Sequence, residues 1–143
     1  MTNPIVVDFE VSCSPSHAFE VWTEKAAIWW PPSHTVSQDP GVVVVFQPFA
    51  GGRIYELTSD GTEHDWGTVV AWEPPDRLSY RWHLFFDPDE ATDVSVTFTG
   101  SGTITRVTLT HSGFDGLGEP GRQRRDRTEV VWAMMIERYA AAT

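Results

Sequence analysis

From residue 5 onward the chain alternates between apolar and polar positions. Val7, Phe9 and Val11 share one face and Asp8, Glu10 and Ser12 the other, the period of a half-buried strand. The period then changes in "SPSHAFEVW". Ser14 is a good N-cap, Pro15 suits the first helical position, and Phe19 and Trp22 lie three apart on one helical face. Thr23 is a candidate cap for a second short helix through "EKAAIWW", which Pro31 and Pro32 would stop. A loop, "SHTVSQDPG", separates these helices from a long β-rich region.

That region reads as strands joined by tight turns. "VVVVFQPF" is followed by a Gly51–Gly52 turn, "RIYELT" by "SDG" at 59–61, and "GTVVAWE" by "PPD" at 74–76. "RLSYRWHLFF" puts Leu78, Tyr80, Trp82 and Leu84 on one face before "DPDE" turns the chain. "TDVSVTFT" groups Val94, Val96 and Phe98, and after "GSG" the run "TITRVTLTH" groups Val107, Leu109 and His111. Short strands at near-regular spacing predict an antiparallel meander. From about Pro120 to Ala142 the spacing of Trp132, Met135, Ile136 and Tyr139 is helical. A long amphipathic helix must bury its stripe, and a one-faced antiparallel sheet offers the surface. The expected fold is α+β: a curved antiparallel sheet of about six to seven strands around a long C-terminal helix, with two short helices after the first strand. Where sheet and helix separate at one end, a cavity forms.

Composition narrows the partners. A length of 143 residues predicts one domain spanning 1–143. The formal net charge of −10 argues against nucleic acid and against an anionic membrane surface. No run is long and apolar enough to span a bilayer, and the first residues do not resemble a signal peptide, so a cytoplasmic location is expected. Cys13 is the one cysteine, so it forms no disulfide within the chain, and it reads as a small, part-buried hydrophobe. The seven tryptophans and eight phenylalanines suit either a large core or the wall of an apolar pocket. His17, His34, His64, His83 and His111 lack metal-ligand spacing, and no GxSxG elbow, phosphate loop or dinucleotide fingerprint is present. No metal or cofactor is therefore expected.

The stretches "FEVWTEKAAIWWPP" at 19–32, "FAGGRIYE" at 49–56, "WGTVVAWEPPDRLSYRW" at 66–82 and "VTLTHSGF" at 107–114, with the Trp132 helix, resemble the SRPBCC, or START-like (Bet v-type), superfamily and its helix-grip fold. Within it the likeness is to AHSA-type proteins, homologous to the C-terminal domain of the activator of the heat-shock-protein-90 ATPase. The family usually places Gly before the tryptophan of its last helix, where this chain has Val131. The resemblance implies a deep, mostly apolar cavity between sheet and long helix, and an association with stress response. It implies no single activity, because the fold hosts carriers, receptors, cyclases and co-chaperone domains.

The wall of such a cavity would draw on Trp29, Trp30, Tyr55, Tyr80, Trp82, His111, Trp132, Ile136 and Tyr139, each of which also reads as simple core packing. Trp22 would tie the first helix to the core while Trp29 and Trp30 form a lid. His111 shares parity with Val107 and Leu109, so it faces the interior either as a general base or ligand donor or, more simply, as a satisfied core histidine. In "GGRIYE" Arg53 and Glu56 lie on opposite faces, and both sides are partly apolar, so which points inward stays open. An inward Glu56 would have a raised pKa and serve as acid or base; an inward Arg53 would hold a ligand carboxylate. The simpler expectation for each is an outward salt bridge. "RQRRDR" at 122–127 reads as a solvated face paired with Asp126 and Glu129, or as a patch for an anionic protein. Three functions follow: a carrier of a hydrophobic small molecule, a cyclase, dehydratase or hydrolase using His111 or Glu56 in the same pocket, and a module that binds a chaperone. Self-association through exposed edges is a further expectation.

Overall fold

The computed structural model describes residues 2–143. Seven strands form one antiparallel sheet: β1 (Ile5–Val11), β2 (Val43–Phe46), β3 (Arg53–Leu57), β4 (Glu63–Glu73), β5 (Arg77–Trp82), β6 (Thr92–Ser101) and β7 (Ile104–Ser112), in the spatial order β1-β7-β6-β5-β4-β3-β2. Helices α1 (Pro15–Thr23) and α2 (Ala26–Trp29) follow β1, and α3 (Gly118–Ala142) closes the chain. This is the helix-grip arrangement. The apolar parity of each strand decides its inner face: Leu78, Tyr80 and Trp82 of β5, Val94, Val96 and Phe98 of β6, and Val107, Leu109 and His111 of β7 are all buried.

The sheet curves because two of its ladders are interrupted. Register shifts fall between Ile54 and Tyr55 in the β3–β4 pair and between Val69 and Ala71 in the β4–β5 pair. Such bulges bend a strand and increase its twist. Between them sits Gly67, where a Cβ would collide with the Arg81 carbonyl oxygen, so only glycine lets β4 and β5 approach this closely.

α3 lies in the grip with Trp132, Met135 and Tyr139 inward. Tyr139 donates to the Ala18 carbonyl at 2.7 Å and packs edge-on against Trp22 with centroids 4.8 Å apart, which locks α3 to α1. Ser14 caps α1 by accepting from His17 N, as its position suggests. Thr23 does not cap α2. It is the last residue of α1, and its hydroxyl donates back to the Phe19 carbonyl. β5 also stops earlier than alternation implies. Phe86 N–H bonds the His83 carbonyl at 2.7 Å and Phe85 takes φ 71°, so residues 83–86 form a turn rather than the end of a strand.

Candidate functional site

The interior at the α2 end of the molecule is built of tryptophan. Trp30 packs on Trp66, Trp82 and Trp132, with centroids 5.4, 5.6 and 6.2 Å away. Behind it, Trp22 stacks on Trp132 at 6.0 Å. These rings occupy most of the space that the curved sheet encloses. What remains is a half-open cavity of about 170 Å³ beside the N-terminal half of α3. Trp30 and His34 wall one side, Trp82, Leu84, Phe85 and Phe86 the end of β5 and its turn, His111 the floor from β7, and Arg124, Arg127, Thr128, Val131 and Trp132 the helix. The volume is close to that of about 150 Å³ that accommodates a single benzene ring in an engineered core.

His111 is held by two hydrogen bonds that fix its state. The Trp132 indole N–H, which can only donate, bonds Nδ1 at 2.9 Å. Nδ1 is therefore an acceptor, and the ring proton sits on Nε2, 2.6 Å from the Thr92 hydroxyl. Thr92 in turn donates to the Trp82 carbonyl at 3.3 Å. Burial, with the Arg124 charge as a smaller contribution, pushes the imidazole pKa down to about 3. The ring is neutral at physiological pH, with both nitrogens engaged.

Arg124 completes this cluster. It is 4% exposed, although it belongs to the arginine-rich stretch that reads as solvated. Arg122, paired with Glu119, is exposed as that reading expects, while Arg125, paired with Asp126 and Glu129, is half-buried. Arg124 Nη1 donates to the Glu90 carbonyl at 2.6 Å, and Nη2 makes longer contacts of 3.4 Å to the Trp82 carbonyl and 3.5 Å to Thr92 Oγ1. Its guanidinium lies 3.7 Å from the Phe86 ring centroid. Among the described residues no carboxylate forms an ion pair with it.

Glu56 points inward, and the outward salt bridge belongs to Arg53 alone, which pairs with Glu63 and Asp65. Glu56 is fully buried, yet it lies outside the cavity wall. Burial by itself would raise its pKa. Hydrogen bonds from Ser37, the Trp66 indole and Val36 N–H outweigh that, so the carboxyl sits below its ordinary value. The distances are 2.7 Å from Val36 N, 3.0 Å from Ser37 N and 2.8 Å from Trp66 Nε1. The raised pKa that an inward Glu56 suggests is thus overturned: the group is an ionised staple joining the 35–38 loop to the sheet.

Of the residues singled out by sequence, the cavity brings together Trp30, Trp82, His111 and Trp132. Trp29 lies behind Trp30, its indole bound to the Val21 carbonyl at 2.8 Å, so of the two candidate lid residues Trp30 alone reaches the cavity. Tyr80 faces inward but deeper in the core, where its hydroxyl accepts from the Trp22 indole at 3.4 Å. Tyr139 is engaged with Ala18, and Ile136 is half-buried outside the cavity wall. Tyr55 has the opposite parity to the buried Ile54 and Glu56 and carries the Arg53 guanidinium over its ring at 4.3 Å. Arg124, Phe85 and Phe86 escape a reading by composition. Arg124 was accessible to periodicity, since it lies four, eight, eleven and fifteen residues before Thr128, Trp132, Met135 and Tyr139 on the gripped face. Among the described residues no three His, Cys, Asp or Glu side chains gather into a metal-sized cluster.

Residues 12–142 match the model of the family described as Activator of Hsp90 ATPase homolog 1-like protein. No curated protein matches the chain. Among solved structures, the anthrahydroquino-gamma-pyrone synthase Txn09, complexed with SUM, is 31% identical over 99% of this chain and 97% of its own, with a TM-score of 0.65. Protein MLL2253 from Mesorhizobium loti shares the fold at 23% identity and a TM-score of 0.70, over 97% of this chain and 95% of its own. DynU16, described as a putative protein in the dynemicin biosynthetic locus, shares it at 22% identity and 0.71; this chain is covered over 99% and spans 47% of that one.

Proposed function

The chain belongs to the Activator of Hsp90 ATPase homolog 1-like family, and from that premise we propose that it holds a compact hydrophobic small molecule in the cavity beside α3. The observation that carries this reading is a half-open space of about 170 Å³ walled by Trp30, Trp82 and Trp132. Ligand sites are concave and mostly apolar with a few placed polar groups. The volume limits the occupant to about one aromatic ring.

The test uses benzyl alcohol as the probe and NMR of the indole N–H groups as the readout. Saturable shifts of the Trp30, Trp82 and Trp132 signals are expected, with the other indoles unmoved. Val131→Trp would fill the cavity from α3 and abolish those shifts while circular dichroism stays native. Unsaturable shifts, or equal shifts in the variant, would overturn the reading.

The likeness to Txn09, a synthase, favours a second reading in which the same cavity turns its ligand over. Such a step needs a proton-transfer group. Two histidines stand in the wall, His34 and His111; His111 is the buried one, on the floor, and it would first have to release Trp132 or Thr92. Turnover that survives His111→Gln unchanged would exclude it from that role.

A further inference from the structure

Arg124 is a buried cation beside a cavity, in a protein of formal net charge −10, and no carboxylate neutralises it among the described residues. A guanidinium has five N–H groups. One is taken strongly by the Glu90 carbonyl, and two make the long contacts to Trp82 and Thr92, which leaves Nε–H and one Nη1–H without acceptors in the structure. Removing an ion from water costs several kcal/mol unless its charge and its donors are met. Carbonyl dipoles, the Phe86 ring and the more distant charge of Glu90 offset part of that cost, and no carboxylate pairs directly with the guanidinium among the described residues. The one nearby carboxylate, that of Glu90, accepts from the Asp87 N–H instead. Arg127 lines the same cavity, is exposed, and has no ion pair among the described residues.

We propose that Arg124 is the anion-binding group of this cavity, and that the occupant is a compact aromatic acid: one ring bearing a carboxylate or an ionised enol or phenol. The inference rests on the cavity reading above. It assigns the polar end of the ligand and the residue that meets it. The ring would lie among Trp30, Trp82 and Trp132, and the anion would take the open N–H groups of Arg124. The far side of Phe85 and Phe86 is lined by Glu63, Asp65, Asp87 and Glu90, so an anion is disfavoured in that direction. Guanidinium and carboxylate match in a planar, two-bond geometry, and the pairing strengthens where water is excluded.

Benzoate and benzyl alcohol, an acid and a neutral molecule of nearly equal size, separate the claims. On the unmodified protein benzoate is expected to bind at least about tenfold more tightly than benzyl alcohol, the effect of a single charge-assisted contact. Arg124→Met should remove that preference, with benzyl alcohol still bound saturably; Arg124→Lys should retain part of it. Saturable binding of benzyl alcohol with no preference for benzoate would overturn the role of Arg124 and leave the cavity standing. Saturable binding of neither would overturn both. Should Arg124→Met fail to fold, the benzoate preference of the unmodified protein and its partial loss in Arg124→Lys decide the matter.

Discussion

Among the described residues the interior holds two ions of opposite sign, and they are treated differently. Glu56, at the end where β3 meets the 35–38 loop, has both oxygens bound at 2.7–3.0 Å by two backbone N–H groups and an indole. Arg124, at the cavity end, has one short bond, two long ones and N–H groups without a protein acceptor, in a side chain that lines free volume. A buried ion whose donors or acceptors are all consumed acts as a fastener. One left partly unmet is an unspent interaction, and it points to a ligand. The contrast teaches that burial of charge alone does not mark a site; completeness of its hydrogen bonding does.

The sharpest way to break this comparison is to remove each ion. Glu56→Ala leaves the buried Trp66 indole and two part-buried backbone N–H groups without their acceptor, and a loss of about 4–5 kcal/mol is expected, the lower end for three charged hydrogen bonds of about 1.5–3 kcal/mol each. Glu56→Gln, which keeps the shape, should lose about half as much. Arg124→Met replaces an unpaired ion by an apolar chain of similar length and should change stability by less than about 1 kcal/mol in either direction. Urea unfolding measures all three. A large loss in Arg124→Met would mean that this arginine is a fastener too.

His111, at the cavity end, makes stability depend on pH. Its folded pKa, about 3, lies below the ordinary 6.5, so the unfolded chain takes up a proton that the folded chain refuses. Its contribution is complete above pH 6.5 and is lost as the pH falls, at about 1.4 kcal/mol per unit. The protein should lose about 3 kcal/mol between pH 6.5 and 4.5 from this group alone. Glu56, with a pKa held below 4.5, adds its own loss only under more acid conditions. His111→Gln can still accept from Trp132 and donate to Thr92, but it does not titrate. Unfolding curves across pH 4–8 should therefore flatten in this variant, and an unchanged slope would refute the assignment.

Strand parity made much of this legible in advance. Period two placed Tyr80, Trp82 and His111 inside, and the helical stripe placed Trp132 and Tyr139, because one buried face per element leaves a clear pattern. The legible pattern ended where side-chain chemistry competes with position. β3 is apolar on both faces, so the direction of Glu56 depended on donors brought by a loop twenty residues away. Arg124 stands between Gln123 and Arg125 in an arginine-rich run, and composition masks a periodicity that would have put it inward. Leu84 keeps the alternation of β5 while the backbone has already turned at Phe85. No local signal shows how far tryptophans fill the grip, since that depends on six rings from five parts of the chain.

The smallest expected effect separates the buried cation from the exposed one. Arg127 lines the mouth of the same cavity in contact with water, where a charge interacts weakly and salt screens it over about 8–10 Å. Arg127→Gln should weaken benzoate binding by no more than about threefold at low ionic strength, a rim-charge effect below about 1 kcal/mol. The difference should vanish near 0.5 M salt. The preference conferred by Arg124 should persist there, because a guanidinium that is 4% exposed is screened by salt far less than a charge in open water. Equal salt sensitivity of the two would mean that benzoate meets both arginines in water, at the surface, and not in the cavity.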